Sequence, residues 1–285
     1  MVTKLVDTAL DRALLGYGNV GFYARRRSWA PLPRLDGKVV IVTGAKAGLG
    51  RAIADGLARL GAEVHVVVRG DAALPGFVVH RRDVSLLADV RAFADAWEGP
   101  LHAIVHNAGV MPPERGETAE GHELTLATHV LGPHLLTRLL PAERSIWVSS
   151  GGMYGQKLVT DDLEYLKSAY KPVTAYARTK RMQVVLADEW ARRGKHVSSA
   201  HPGWVDTPGV ADSLPLFKTL TRPILRTPEQ GADTFVWLVG AAVPPGRFWH
   251  DRVARPEHYT RRTRESPQDR RVLWNAVEAL SGASA

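Results

Sequence analysis

A glycine-rich turn at Thr43–Gly50, TGAKAGLG, is the feature that most constrains the fold of this chain. It follows the short apolar run KVVIVT and precedes GLGRAIADGLARLG, which has helical periodicity and ends at Gly61. Gly44 allows a tight turn, while Gly48 and Gly50 let the backbone approach a pyrophosphate and let the helix pack on the sheet. The amino terminus of that helix adds unpaired N–H groups and about half a positive charge. The sequence therefore favours a nucleotide phosphate site over a plain structural turn.

Short apolar runs alternate with helical patterns from residue 38 to about residue 250. Strands are predicted in KVVIVT, AEVHVVV, GFVVHRRDV, LHAIVHNAG, SIWVSSGG, KHVSSAHPG and GRFWH. This repetition predicts the α/β class, with a single Rossmann-type, doubly wound parallel sheet. Three parts are predicted: an N-terminal helical extension over residues 1–35, a nucleotide-binding catalytic domain over 36–250, and a basic C-terminal tail over 251–285. In the extension the helical spacing comes first, and RRRSWAPLPRL then predicts a linker.

Composition excludes several classes of protein. The chain has 285 residues with 45% hydrophobic and 23% charged, which is ordinary for a soluble globular protein that buries a full core. Cysteine is absent, which excludes disulfides and a cysteine nucleophile and suits the cytoplasm, where we expect the protein. No apolar run approaches about 18–20 residues, and no cluster with metal-ligand spacing stands out, so no metal is expected. The net charge is +8, but the arginines are scattered, which favours an anionic cofactor or a lipid surface over nucleic acid.

Five motifs occur in the order of a known family. They are TGAKAGLG, the pair Asp83-Val84, HNAG at His106–Gly109, VSS followed by YARTK, and HPG at His201–Gly203. Together they span roughly residues 38–250 and resemble the short-chain dehydrogenase/reductase family. The segments VSSGGM, HPGWVDTPGV and GRFWHDR are similar to one vertebrate branch of it, which also has an N-terminal extension.

The resemblance implies a nicotinamide dinucleotide cofactor held along the carboxyl ends of the strands. The implied contacts are Thr43, Gly44, Lys46, Gly48, Leu49, Gly50, Arg69, Asp83, Val84, Asn107, Ala108, Gly109, Tyr176, Lys180, Pro202, Gly203 and Thr207. Arg69 stands at the end of the second strand, where enzymes that prefer NAD carry an acidic residue. Because arginine binds phosphate and stacks on adenine, Arg69 favours NADP. The alternative gives Asp71 the ribose hydroxyl, two residues further on.

Tyr176 and Lys180 are four residues apart, so on a helix they lie on one face. By the resemblance, Tyr176 is the general acid for carbonyl reduction and the general base for alcohol oxidation. Lys180 and the oxidised nicotinamide, both positively charged, are expected to lower the phenol pKa, and Lys180 is also expected to hold the nicotinamide ribose. Ser150 is expected to donate a hydrogen bond to the carbonyl oxygen. Ser149 is the alternative, and strand alternation allows only one of the two serines to face the site.

His129 stands where related enzymes carry an asparagine that holds a relay water. Two interpretations remain open: an imidazole that relays protons toward Lys180, or a packed helix histidine without a role. The substitution also leaves open a protein that binds NADP as a sensor or regulator with impaired chemistry.

Two long segments leave the carboxyl ends of strands and contain apolar residues. One holds Met153, Tyr154 and Leu158, and the other holds Trp204, Leu214, Leu216, Phe217 and Leu220. They favour a lid over a small lipophilic carbonyl or alcohol substrate, with packing on the core as the alternative. The amphipathic residues near the amino terminus and Arg25–Arg27 leave contact with a membrane surface open, and self-association is left open too.

Overall fold

One eight-stranded sheet organises the chain. The structure is a computed structural model, and it describes residues 15–206 and 222–282. The strand order is β3-β2-β1-β4-β5-β6-β7-β8, and only β8 runs antiparallel, to β7. The strands are β1 Val39–Thr43, β2 Glu63–Val68, β3 Val78–Arg81, β4 Leu101–His106, β5 Ala142–Val148, β6 Val197–Ala200, β7 Phe248–His250 and β8 Val253–Arg255. The predicted α/β fold with a doubly wound parallel sheet is confirmed.

Helices cover both faces of the sheet. They are α1 Asn19–Arg26, α2 Gly48–Arg59, α3 Leu87–Asp95, α4 Leu124–Leu126, α5 Gly132–Leu139, α6 Pro172–Arg192, α7 Pro228–Gly240 and α8 Pro267–Leu280. A π-helical turn, Ala127–Leu131, joins α4 to α5 without a break. Both α7 and α8 begin with a capping box, at Thr227 and Ser266, which satisfies free N–H groups of the first turn.

The hydrophobic core lies in two layers, one on each face. One layer packs α3, α5, α6 and α8 against the sheet, with Trp147 and Trp190 among its buried residues. The other packs α2 and α7 against the opposite face, with Ile53 and Phe235. Central strand β4 is buried at every position, whereas edge strand β8 is largely exposed. This explains why the central strands are continuous apolar runs rather than alternating ones.

The order of the strands reverses between β1 and β4, which are neighbours in the sheet. The connections from these two strands therefore leave in opposite directions, and a crevice opens at their carboxyl ends. Ligands of doubly wound sheets bind at this point. The fold thus places the glycine-rich turn after β1 beside the segment that follows β4.

The two ends of the described chain pack onto the domain. The sequence predicted a linker across Arg25–Arg27, but Arg25 lies in α1 and is 3% exposed. The segment predicted as a basic tail supplies β8 and α8, and Leu273, Trp274 and Val277 of α8 are buried. The predicted helical spacing before residue 15 lies outside the described residues, and the predicted boundaries at 35 and 250 stay predictions. Within residues 15–206 and 222–282, no helix has both the length and the apolar character that crossing a bilayer requires.

Candidate active site

The glycine-rich turn is held in a shape that side chains would block. Gly44 has φ +70°, and a Cβ there would lie 2.7 Å from Cα of Ala108. A Cβ on Gly50 would lie 2.3 Å from Nδ2 of Asn107 and 2.4 Å from the Gly44 carbonyl oxygen. Contacts this short are not tolerated, so both positions require glycine. The turn therefore presses directly against the segment that follows β4.

Hydrogen bonds fix the ends of β1 and β4 to each other. The Thr43 hydroxyl accepts from the N–H groups of Asn107 and Ala108, at 3.0 and 3.1 Å. The Asn107 amide donates to the carbonyls of Thr43 and Gly44, at 3.0 and 3.1 Å. Asn107 and Thr43 thus fix the glycine-rich turn to the carboxyl end of β4.

Helix α2 begins at Gly48, directly after this turn. Its N-cap residue, Ala47, provides no side-chain cap, so the first N–H groups of α2 keep their capacity to bind an anion. Gly48 has φ +58°, a left-handed conformation that glycine adopts without strain. These features fit the pyrophosphate of a dinucleotide.

One cavity of about 600 Å³ runs from this turn to the helix that carries Tyr176. At one end it is lined by Arg69, Asp83 and Val84, which follow β2 and β3. Arg69 is exposed, and its guanidinium lies 3.9 Å from the Asp83 carboxylate. The Asp83 carboxylate also accepts from the N–H and hydroxyl of Ser85, at 2.9 and 2.7 Å.

Ser150, Tyr176 and Lys180 meet at the other end of the cavity. Tyr176 and Lys180 lie one turn apart on α6, with the ammonium 5.3 Å from the phenol ring centre. The Ser150 hydroxyl interacts with the phenol. Ser149 differs, since its hydroxyl is buried and donates to the Lys180 carbonyl at 2.8 Å. The structure thus brings Ser150 to the phenol, while Ser149 anchors β5 to α6.

The ionisation of this group differs from the sequence-based expectation. Burial raises the pKa of Tyr176, and the Ser150 hydrogen bond opposes this only partly. Burial also lowers the pKa of Lys180 to about 7, and its ammonium donates to the Val148 carbonyl at 2.7 Å. In the protein by itself, burial therefore sets the direction of the Tyr176 pKa, and this direction is opposite to the lowering expected from Lys180 and the oxidised nicotinamide. The phenol consequently keeps its proton at neutral pH.

His129 lies on the π-helical turn and is completely buried. Its Nε2 accepts from the Val110 N–H at 2.9 Å, so Nδ1 carries the proton and donates to the Thr179 hydroxyl at 2.8 Å. That hydroxyl donates to the Tyr176 carbonyl at 2.8 Å. Among the described side chains this series of hydrogen bonds ends at the backbone of α6 and does not reach Lys180, so it favours the packed histidine, while the proton relay stays a prediction.

Instead, His129 joins the segment after β4 to α6. Burial, and secondly the charge of Lys180, lowers its pKa, which keeps the ring neutral and able to accept from Val110. The ring also meets the Tyr176 ring edge-on, with centres 5.4 Å apart. His129 is therefore a structural clamp behind Tyr176.

The segment after β6 forms a third wall of the cavity, through Pro202, Gly203 and Trp204. Gly203 has φ +82°, again a conformation that favours glycine. Thr207, predicted in the same wall, lies outside the described residues, as do Leu214, Leu216, Phe217 and Leu220. Only Trp204 of that predicted lid can be placed, and it lines the cavity.

The first predicted lid segment packs on the core instead. Met153 is fully buried with Val184 and Phe248, and Tyr154 packs against them. Leu158 packs against the core layer of α6. The lid hypothesis is wrong for these three residues, and the alternative of packing on the core holds, because their apolar side chains are in contact with buried residues.

Most of the predicted cofactor residues line the cavity. They are Gly44, Gly48, Leu49, Gly50, Arg69, Asp83, Val84, Asn107, Ala108, Gly109, Tyr176, Lys180, Pro202 and Gly203. Two others do not: Thr43 is buried below the turn, and Lys46 is exposed beside it. Lining residues that were not predicted include Arg82, Val110, Met111, Thr128, Val173 and Ala177. Arg82 could have been found, since it precedes Asp83 at the end of a strand that neighbours β2.

A separate cluster has the composition of a metal site. Among the described residues, ligand atoms of Glu257, His258 and Glu265 lie within 4.8 Å of one another. However, the Arg181 guanidinium donates to His258 at 2.7 Å and to Glu265 at 2.6 Å. A cation already lies among these groups, so the cluster is an ion-pair network that holds residues 257–265 against α6.

The family that this geometry defines is a nucleotide-binding one, and comparison with known proteins agrees. Residues 40–202 match the family model of the NAD dependent epimerase/dehydratase family. A solved structure of an uncharacterized protein from Mycobacterium Paratuberculosis has the same fold, with a TM-score of 0.73 and 26% identity over 89% of this chain and 97% of that chain.

Relatives with assigned names show which branch of nucleotide-binding proteins the chain resembles. The chain is 36% identical over 302 residues to Dehydrogenase/reductase SDR family member 12 of Bos taurus, with 95% of each chain covered. It is 35% identical to Polyprenol dehydrogenase of Mus musculus over 88% of this chain and 86% of the relative. The chain belongs to the short-chain dehydrogenase/reductase family, as its motifs predicted, and is an oxidoreductase of that type.

Proposed function

We propose that this protein is an NADP-dependent oxidoreductase that interconverts a lipophilic carbonyl compound and its alcohol, with Tyr176 as the general acid and base. One observation carries the proposal. Ser150, Tyr176 and Lys180 converge at one end of a cavity whose other end is a glycine-rich turn shaped for a pyrophosphate.

The side chains around Tyr176 suit proton transfer to a carbonyl oxygen. A bound nicotinamide dinucleotide supplies the hydride in this chemistry. The phenol holds its proton because burial raises the pKa of Tyr176, and it donates that proton as charge develops on the substrate oxygen. Ser150 offers a second hydrogen bond to the same oxygen.

Lys180 supports this step from beside the phenol. Its ammonium is fixed by the Val148 carbonyl and lies 5.3 Å from the Tyr176 ring centre. A positive charge at that distance stabilises the phenolate left by proton transfer more than the phenol before it. Lys180 therefore acts on the transition state, whereas burial raises the resting pKa of Tyr176.

Two arginines support the preference for NADP. Arg69 and Arg82 both line the cavity at the ends of neighbouring strands β2 and β3, where a guanidinium binds a ribose phosphate. Asp71, the competing candidate, pairs with Arg81 at 2.9 Å and is 89% exposed. Asp71 is not among the lining residues, which weakens the case for a ribose hydroxyl contact there.

The cavity near Tyr176 supports a lipophilic substrate. Its wall there includes Val110, Met111, Val173 and Trp204, and apolar walls with a few polar groups are typical of sites for small apolar ligands. The name of the mouse relative, Polyprenol dehydrogenase, is in line with a substrate of this kind.

The cofactor preference is tested by paired variants. Arg69→Ala should remove most of the preference for NADPH over NADH, about 1.5–3 kcal/mol for a charged contact. Asp71→Ala is the matched control and should leave the preference intact. Dissociation constants from nucleotide fluorescence measure both. Equal affinities for NADPH and NADH in the unmodified protein would contradict the proposal.

Turnover is tested with lipid extract and NADPH, with products identified by mass spectrometry. Consumption of NADPH together with reduction of a carbonyl lipid is expected. Tight NADPH binding without turnover on the extract or on a panel of simple carbonyls would instead favour a sensor or regulatory role.

A further inference from the structure

A cluster of buried charges lies behind the Pro202–Trp204 wall, outside the catalytic group. Its centre is Asp251, which is 1% exposed and sits in the turn between β7 and β8. The Arg226 guanidinium donates to both Asp251 carboxylate oxygens, at 2.6 and 2.8 Å. Arg25 of α1 donates to the same carboxylate at 2.7 Å. One carboxylate thus joins three distant parts of the chain.

The backbone of this turn is left-handed at both of its residues. Asp251 and Arg252 have φ +51° and +58°; aspartate is common at the first position of such two-residue hairpin turns, whereas the second position usually holds glycine, so Arg252 is the unusual residue. A non-glycine residue with this φ costs free energy and persists where its surroundings hold it. The ion pairs of Asp251 with Arg25 and Arg226, and that of Arg252 with Asp233, provide such surroundings on both sides of the turn.

Arg226 carries this support to the cavity wall. Its guanidinium donates to the Pro202 carbonyl at 3.2 Å. A Cβ on Gly203 would lie 2.7 Å from Nε of Arg226, so Gly203 rests directly on the guanidinium. The Arg226 N–H also donates to the Trp204 carbonyl at 2.7 Å. Three consecutive wall residues are therefore positioned by one arginine.

The N-terminal segment takes part in the same support. The Tyr17 carbonyl accepts from the Trp204 N–H at 2.8 Å. The Gly16 carbonyl accepts from Arg25 and from Arg226, each at 2.9 Å. Residues 16–25 thus pack behind the wall and share its arginines, although none of them lines the cavity.

We propose that Asp251 is a positioning residue for the bound nucleotide: through Arg226 it fixes Pro202–Trp204, and through Arg25 it attaches the N-terminal segment to the same wall. Without the carboxylate charge, the buried guanidinium groups of Arg25 and Arg226 would face an uncharged partner. This is unfavourable and is expected to displace Arg226. The wall then loses its support, and nucleotide affinity falls although no ligand contact has been removed. This inference rests on the proposed function, because it assumes that the cavity binds a nicotinamide nucleotide.

A matched pair of variants tests it. Asp251→Asn is compared with Asp233→Asn. Asp233 holds the same turn through a two-bond pair with Arg252, at 2.7 and 2.8 Å, and no hydrogen bond or ion pair of the described residues joins its carboxylate to the wall. Both variants should lose thermal stability. Asp251→Asn should weaken NADPH binding and raise KM for NADPH about tenfold or more, the scale of a buried charged group left without its partner. Asp233→Asn should change both by less than about twofold, the usual range away from such features.

Each outcome decides a different point. Equal nucleotide affinities in the two variants would overturn the positioning role while leaving the proposed function intact. An unmodified protein that binds neither NADPH nor NADH would overturn the proposed function and this inference together.

If Asp251→Asn does not fold, a second measurement on the unmodified protein still tests the inference. Saturating NADPH should slow amide hydrogen exchange in α1 and in the β7–β8 turn, which lie behind the wall, more than in α8, which packs on α6 at the other side of the sheet. If exchange in α1 and this turn does not change while NADPH is bound, Asp251 does not couple to the nucleotide site.

Discussion

The two ends of the cavity differ in the groups that line them: one is formed mainly by backbone and the other by buried side chains. The end shaped for the pyrophosphate consists of backbone: Gly44 and Gly48 have left-handed φ, and Gly50 touches its neighbours without a side chain. The end around Tyr176 consists of buried side chains, and Lys180 there is only 3% exposed. One end presents backbone groups of fixed partial charge, and the other presents titratable side chains whose charge depends on their surroundings.

This difference explains where each end is vulnerable. A backbone cradle is fixed by local conformation and fails when a side chain intrudes. A set of buried titratable groups is fixed by distant packing, and it fails when burial or a hydrogen bond changes. Mutations at the first end should therefore affect binding, and mutations at the second should affect rate and pH dependence.

The sharpest separation is expected from Tyr176→Phe. This change removes only the hydroxyl, so turnover should fall by about 10²–10⁴-fold, the contribution of a proton-transfer group, while NADPH affinity stays near that of the unmodified protein. Steady-state kinetics and fluorescence titration measure the two quantities. Near-normal turnover would mean that another group donates the proton.

The ionisation of Lys180 gives the next largest effect. Because burial lowers its pKa to about 7 from the usual 10.5, the unfolded chain binds the proton more strongly between these values. Burial of the charged form is therefore unfavourable below pH 7, and stability rises with pH from about 7 to 10. Relative to Lys180→Met, the unmodified protein should gain about 2–4 kcal/mol of unfolding free energy between pH 6 and 10.

Urea unfolding at pH 6 and pH 10 measures that gain. Lys167, which is exposed, provides the control, because Lys167→Met should show the same difference from the unmodified protein at both values. A constant difference for Lys180→Met as well would mean that Lys180 is not buried as a charged group.

The backbone end is tested by Gly44→Ala. Gly37 is the matched control because it has the same φ of +70° but nothing within 4 Å of the position that a Cβ would take, whereas a Cβ on Gly44 would meet Ala108 at 2.7 Å. Both variants carry the backbone strain, and only Gly44→Ala adds the clash, about 1–3 kcal/mol. Gly44→Ala should weaken NADPH binding more than Gly37→Ala does. Similar NADPH affinities would show that the turn adapts.

The smallest effect is expected at His129. His129→Leu leaves the Val110 N–H without its partner and removes one of the two hydrogen bonds of the Thr179 hydroxyl, which should lower stability by about 1–2 kcal/mol. The shape of the pH–rate profile between pH 6 and 9 should not change, because no chain leads from His129 to Lys180. A pH–rate profile of His129→Leu that is shifted relative to that of His129→Asn would support the proton relay.

The cavity end at the glycine-rich turn could be predicted from the sequence, whereas the end around Tyr176 could be predicted only in part. The glycines and the apolar run before them are adjacent, so local geometry specifies their role. His129 could not be assigned, since its partners Val110 and Thr179 are 19 and 50 positions away. Arg25 stood in a run of three arginines that resembled a surface patch, yet its partner Asp251 lies in a segment predicted to be a tail. The pKa of Tyr176 depends on burial, which motif spacing does not contain.

The Arg25–Asp251 pair also has a consequence for how the chain is made. Its two residues are 226 positions apart, so Arg25 leaves the ribosome long before its partner is synthesised. The glycine-rich turn and strands β1 to β6 can associate during that time, whereas the arginines behind the Pro202–Trp204 wall gain their carboxylate partner only after the β7–β8 turn has emerged. Closing so long a loop comes late, because its entropy cost precedes the contacts that offset it. A nascent or truncated chain can thus form the glycine-rich turn before the Asp251 ion pairs behind the Pro202–Trp204 wall exist.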